Sequence, residues 1–261
     1  VTAESVAMDI DWDEITHVTK VDPAKSLPAT LEILEGTDMV LVGGSDNVSE
    51  SNSLDAIERV KDAFPGLPVL QEPYSSDHVS TDTIEAADYL SIPAVYNGDR
   101  EHFVGKHLDL FTEVGQKPDE LLGSSVPLVG DLIASKGVEA VSELATKVVG
   151  EGYVVQHLES TAAAVSGVDT KYTPEEVAGA ALATEAFYDF PIFYVEYSGT
   201  YGGPADVEAA SKYLSETALF YGGGINSAEK ASEILEAGAD AIVVGDCFHD
   251  DPETFRETIP E

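Results

Sequence analysis

The sequence predicts a (β/α)8 barrel, built as a single domain over residues 1–261. Three observations carry this. Short apolar runs alternate with helix-patterned stretches from one end of the chain to the other. The runs are continuous in apolarity, as expected of parallel strands buried on both faces. Glycine-rich turns close the last two runs, where barrels of this class often bind phosphate.

The strand candidates, in order, are His17–Val21, Met39–Val42, Pro68–Leu70, Tyr89–Ile92, Tyr153–Gln156, Ile192–Tyr197, Ala218–Tyr221 and Ala241–Gly245. Between the first two, Ser26–Leu34 places Leu27, Leu31 and Leu34 on one helical face. Ser53–Phe64 does the same with Leu54, Ile57 and Val60, and Glu101–Val114 with Phe103, His107, Leu110 and Val114. Pro174–Phe187 opens on a helix-start signal, with Thr173 as cap and Pro174 in the first turn. Asp206–Leu214, Ser227–Ala237 and a last helix from near Pro252 complete the pattern. Residues 66–90 break it: Gly66, Pro68, Pro73 and Ser75-Ser76 leave no good helix between the third and fourth strands. An open doubly wound sheet is the alternative architecture.

Composition narrows the function. The chain is 43% hydrophobic, enough for a full core at 261 residues. Its single cysteine, Cys247, excludes an internal disulfide and fits a reducing compartment. No apolar stretch approaches the roughly 18 residues of a membrane span, and the opening residues lack a signal-peptide pattern. The expectation is a soluble, cytoplasmic protein. Against 49 acidic residues stand 13 basic ones, a formal net charge of −36. Such a chain repels itself at low ionic strength, and molar salt, with a Debye length of about 3 Å, removes most of that repulsion. The carboxylates are spread along a chain that also carries 11 Tyr, 9 Phe and 1 Trp, unlike a disordered acidic tail. The reading is a halophilic globular protein that does not bind nucleic acid.

In a barrel, chemistry gathers where strands end at the C-terminal face. Tyr221-Gly222-Gly223-Gly224-Ile225-Asn226 ends one strand and Val243-Val244-Gly245-Asp246 the next. Glycines there let backbone N–H groups approach an anion, so the paired turns mark either a phosphate site or simply tight strand-to-helix connections. Lys20 and Asp22 fall on one face of the first strand, pointing into the barrel mouth. They are either a structural ion pair or a phosphate-binding cation beside a Mg2+-binding carboxylate. The second strand ends in Gly43-Gly44-Ser45-Asp46, where the Ser45 hydroxyl could join Asp22 at a metal and Asp46 is an alternative ligand or only a turn residue. Glu196 sits among apolar and aromatic residues in Tyr194-Val195-Glu196-Tyr197-Ser198-Gly199-Thr200, and a buried charge needs a partner: a substrate hydroxyl, a cation or an internal ion pair. No histidine clusters with Cys247 as a zinc site would need, and no nucleophilic-serine motif is present.

Taken together, KVDPAK (Lys20–Lys25), LVGGSD (Leu41–Asp46), IPAVYN (Ile92–Asn97), PIFYVEYSG (Pro191–Gly199), LFYGGGI (Leu219–Ile225) and IVVGD (Ile242–Asp246) resemble, in order, the geranylgeranylglyceryl phosphate synthase family, which includes the bacterial heptaprenylglyceryl phosphate synthases. The resemblance implies a modified (β/α)8 barrel lacking its third helix. It also implies a Mg2+-dependent prenyltransferase that joins sn-glycerol 1-phosphate to a prenyl diphosphate, geranylgeranyl by preference, in archaeal ether-lipid synthesis. By the family's motifs Lys20 contacts glycerol phosphate, and Asp22 with Ser45 bind Mg2+. Val195, Glu196, Tyr197, Ser198, Gly199 and Thr200 form the glycerol-phosphate loop, with Glu196 accepting from a glycerol hydroxyl and acting with Lys20 in catalysis. Gly224, Gly245 and Asp246 hold the phosphate. Asp246 departs from the family's frequent asparagine, so contact through its backbone N–H is expected, because a carboxylate repels phosphate.

The resemblance further implies a homodimer, and an insoluble product makes transient contact with the membrane surface an expectation. An apolar groove for the tail is expected from Ile92–Tyr96 and the helix bearing Phe103, Leu108 and Leu110, with Leu110 or Phe111 limiting its length. The competing function is a barrel isomerase or aldolase acting on a small sugar phosphate. It uses the glycine turns but leaves Glu196 and its tyrosine-rich strand without a role.

Overall fold

The computed structural model describes residues 10–99, 101–105, 108, 112 and 131–260. Eight parallel strands close into a barrel in sequence order: β1 His17–Val21, β2 Met39–Val42, β3 Val69–Gln71, β4 Tyr89–Val95, β5 Val148–Val155, β6 Ile192–Glu196, β7 Ala218–Gly222 and β8 Ala241–Val244. Closure is made by β1 against β8, with His17 opposite Ile242 and Thr19 opposite Val244. The helices are α1 Glu50–Ala63, α2 Thr81–Ala86, α3 Asp131–Ala145, α4 Thr161–Ser166, α5 Pro174–Ala183, α6 Ala205–Ala210, α7 Ala228–Glu236, α8 Asp246–Asp250 and α9 Pro252–Thr258.

The continuous apolarity of the strands is explained by two cores. One set of residues, including Val18, Met39, Leu41, Leu70, Val149 and Phe220, fills the barrel. The alternate set, including Val40, Val42, Val69, Phe193, Leu219 and Val244, packs outward against the helices. Helix starts follow local chemistry: Ser49 with Asn52, Ser80 with Thr83 and Thr173 with Glu176 form reciprocal capping boxes, and Pro174 opens α5 as expected.

Three expectations need adjustment. Ser26–Leu34 is not a helix but ends in a short 3-10 turn, Leu31–Leu34, capped by Thr30, because Pro28 biases Leu27 before it away from helical backbone. The connection after β3 is not empty of helix; it is reduced to a 3-10 turn, Ser76–His78, and the six-residue α2. Strand β5 starts five residues earlier than its apolar run, at Val148. Gly150 and Gly152 there read as a turn, yet an added Cβ would lie 2.3 Å from the Phe190 ring and 2.1 Å from the Thr184 hydroxyl. The strand is glycine-rich because its outer face is already filled. Leu110 and Phe111, expected to limit the tail groove, lie outside the described residues.

Candidate active site

The C-terminal ends of the strands surround an open polar basin. Lys20, Asp22, Ser45, Glu196, Ser198, Gly199, Gly224, Gly245 and Asp246 all line it. Of the other expected residues, Val195 and Tyr197 face the opposite way, into the outer core, as strand alternation requires. Any contact they make with a ligand in the basin is through the backbone. Thr200 packs its main chain against the Gly223-Gly224 turn.

Glu196, at the end of β6, is 7% exposed. Its Oε2 accepts from the Tyr153 hydroxyl at 2.5 Å, and its Oε1 accepts from the Ser198 hydroxyl. Burial, with the Glu196 charge beside it, raises the Tyr153 phenol well above its ordinary pKa, so it remains a donor. Both oxygens of Glu196 therefore have a fixed donor, while the carboxylate still borders the basin. Ser198 is held in turn by its carbonyl, 2.6 Å from His157 Nδ1.

Lys20 does not pair with Asp22, the first alternative its spacing allowed. Its ammonium makes a salt bridge to Glu72, just beyond β3, with the two side chains 19% and 10% exposed. Burial opposes the lysine charge, but Glu72 and then Glu196 outweigh it, and the Lys20 pKa stands above its ordinary value. Asp22 is left with its carboxylate accepting from Ala24 N at 2.9 Å, and its own N–H donating to His249 Nε2 at 3.0 Å. The Asp22 carboxylate lies against Gly44: a Cβ there would stand 2.6 Å from its Oδ1. Gly44 thus brings the carboxylate beside the Ser45 turn.

Asp22 and Ser45 could hold a Mg2+ ion only as part of a larger shell. Among the described residues no group of three or more His, Cys, Asp or Glu side chains is arranged to hold a metal by itself. One carboxylate and one hydroxyl at the basin edge match an ion that completes its shell with substrate phosphates and water.

The Gly222–Asn226 turn is braced from behind. Lys230 donates to Gly224 O at 3.1 Å and Asn226 Oδ1 at 2.8 Å, with its ammonium 4.9 Å from the Tyr201 ring centre. The Asp246 carboxylate is occupied by Lys25, 3.3 Å away, in an exposed pair. The basin as a whole is acidic: Asp22, Asp46, Glu72, Glu159, Glu196, Asp246, Asp250 and Asp251 line it against Lys20 and Lys25.

A second, apolar groove opens beside the shortened β3–β4 connection. Pro73, Tyr74, Val79, Ile92, Val95 and Val165 are among its lining residues. It meets the basin at Gly44, Ser45, Glu72 and Tyr153, which border both. Ile92 and Val95 line it as expected, but Phe103 does not; it packs tilted against Tyr96 and edge-on against Tyr188, at 5.8 and 6.2 Å. Glu72 and Tyr153 were missed by the sequence reading. The available signals were an acidic residue directly after an apolar run and a phenol on the barrel-facing side of β5.

The profile of the PcrB family matches residues 10–261. The chain belongs to the PcrB family. It is 36% identical over 257 residues to the geranylgeranylglyceryl phosphate synthase of Methanoculleus marisnigri, covering 97% of this chain and 98% of that protein. It is 33% identical over 248 residues to the heptaprenylglyceryl phosphate synthase of Listeria innocua, covering 93% and 95%. The crystal structure of (S)-3-O-geranylgeranylglyceryl phosphate synthase from Thermoplasma acidophilum, in complex with sn-glycerol-1-phosphate, is similar in fold, with a TM-score of 0.70 at 22% identity over 94% of this chain and 92% of that one. At 14% identity and a TM-score of 0.51, the thiamine phosphate pyrophosphorylase of Pyrococcus furiosus shares the barrel fold alone.

Proposed function

We propose that this PcrB-family chain is a prenyltransferase that forms the ether bond between sn-glycerol 1-phosphate and geranylgeranyl diphosphate, releasing diphosphate. The observation that carries the reading is the two-part site: an apolar groove running into a polar basin, with a buried, donor-held carboxylate bordering the basin. A long apolar tail and a small phosphorylated alcohol need that pair of surfaces side by side. A sugar-phosphate isomerase or aldolase would use the basin and leave the groove idle. The names carried by the Methanoculleus and Listeria relatives support the same choice.

Glu196 accepts the proton of the attacking glycerol hydroxyl, and Tyr153 and Ser198 keep its carboxylate aimed at that hydroxyl. The glycerol oxygen bonds to C1 of the prenyl chain as the bond from C1 to the diphosphate oxygen breaks. The Lys20 ammonium and the backbone of the Gly224 and Gly245–Asp246 turns receive the glycerol phosphate. Asp22 and Ser45 would hold Mg2+, which supplies positive charge to the departing diphosphate. Rate enhancement then comes from position and electrostatics. No helix of the described residues is long and apolar enough to cross a membrane. We extend the reading to a homodimer in the cytoplasm of a salt-loaded cell that draws its prenyl donor from a bilayer surface.

The test is an assay in high KCl with Mg2+, prenyl diphosphates of several lengths, and glycerol 1-phosphate or glycerol 3-phosphate as acceptor. Extractable prenyl ether from glycerol 1-phosphate, and not from its enantiomer, is expected. Absence of ether with every donor, from folded protein, would overturn the reading.

A further inference from the structure

Below the basin, inside the barrel, lies an ionisable group with no part in that reaction. Glu151 on β5 is fully buried. Its Oε1 accepts from the Ser91 hydroxyl at 2.5 Å, and its Oε2 has no hydrogen-bond partner among the described residues. Glu72 is complementary: its Oε2 is on Lys20, and its Oε1 is also buried and unpartnered. Glu72, Glu151 and Glu196 thus share one lysine in an interior that gives charge little solvation.

Three ionised carboxylates against one ammonium leave two negative charges uncompensated, and a buried acid in that position keeps its proton instead. The hydrogen bonds identify which one. Glu72 has the lysine, and Glu196 has two O–H donors that favour the anion. Glu151 has Ser91 alone.

We propose that Glu151 is kept as the neutral carboxylic acid, turns its Oε2 proton towards the free oxygen of Glu72, and so acts through Glu72 to position Lys20 at the basin floor. The charge environment agrees. Ser91 on β4, Glu72 beyond β3, Lys20 on β1, and Tyr194 and Glu196 on β6 all face this acid. Burial first, then the Glu72 charge, push its pKa up to about 8. Loss of the proton would put a third carboxylate charge around Lys20, hold the ammonium inward and weaken its reach to phosphate. Glu151 touches neither substrate; it is a positioning residue, and its effect on turnover rests on the prenyltransferase reading.

Infrared difference spectroscopy of the unliganded protein tests the proton directly. A carboxylic-acid C=O band is expected at neutral pH, disappearing as pH rises through about 8. Glu151→Gln should remove it. Ser91→Ala, which deletes the donor that favours the anion, should move the midpoint upward, and a merely structural contact would not shift it. In the assay, KM for glycerol 1-phosphate should rise on the order of tenfold across the same midpoint, the size of one pKa unit of coupling, with a smaller change in kcat. In Glu151→Gln that rise should be absent. No acid band at neutral pH, or one that persists in Glu151→Gln, overturns the proposal. A protein that makes no ether but shows the band refutes the reaction and leaves the retained proton standing, so the two failures are distinguishable.

Discussion

Replacing Gly224 with alanine should force apart the two loops assigned to glycerol phosphate. Gly224 has φ +59, in the left-handed region, where an L-residue costs about 1–2 kcal/mol. The new Cβ would also stand 2.5 Å from Tyr201 N and 2.6 Å from Thr200 C. Both are main-chain atoms of the loop after β6, so no side-chain rotation relieves the contact. Reaching ordinary van der Waals separation needs a displacement of about 1 Å. A misplacement of that size costs on the order of 100-fold where geometry carries catalysis. Steady-state kinetics should show KM for glycerol 1-phosphate raised about 10- to 100-fold, with KM for the prenyl diphosphate little changed. Thermal denaturation should fall by about 2–8 °C for a 1–2 kcal/mol cost in a domain of this size. If the protein loses that stability yet binds glycerol 1-phosphate as before, Gly224 is not part of the phosphate site.

Other expectations concern single groups. Glu196→Gln keeps the shape of the acceptor but removes its basicity, and kcat should fall about 10²- to 10⁴-fold; retained turnover would remove Glu196 from proton transfer. Gly44→Ala drives a methyl into the Asp22 carboxylate, 2.6 Å from Oδ1, so a Mg2+ titration of activity should need at least roughly tenfold more metal, and an unchanged titration would argue against the Asp22–Ser45 site. His17 is buried against Thr37 and Thr258, and burial, partly opposed by Asp38, lowers its pKa from 6.5 to about 4. Between those values the unfolded chain takes up a proton that the folded protein refuses, so stability should be lost as pH falls through this window, by up to about 3 kcal/mol. Denaturant melts across that range, compared with His17→Asn, would show a flatter dependence in the variant; equal slopes would exclude the histidine as the cause.

The barrel was legible because strands buried on both faces write long apolar runs, and the eight runs met eight strands in order. The first half of β5 escaped because Gly150, Glu151 and Gly152 resemble a turn; their reason for being there is Phe190 and Thr184, elements far along the chain. Lys20, Asp22 and Glu196 stood out as charges at the ends of apolar strands. Their partners did not. Lys20 meets Glu72 across 52 residues and Glu196 meets Tyr153 across 43. Such pairs are fixed only when the sheet closes, and nothing local in Gln71-Glu72-Pro73 or Gly152-Tyr153-Val154 announces them.

The carboxylates around the basin bear on how substrates arrive. Most enzymes that take phosphorylated ligands speed encounter with a positive funnel; here an anion approaches a mouth lined by Asp46, Glu159, Asp250 and Asp251. In dilute buffer, with a field reaching about 10 Å at 0.1 M salt, the association rate is penalised before any contact forms. Concentrated electrolyte shortens that reach to about 3 Å and lifts the penalty. Added salt should therefore accelerate capture of glycerol phosphate by this chain, the reverse of the usual screening effect, and the dissolved ions of its surroundings set the rate at which the site is filled.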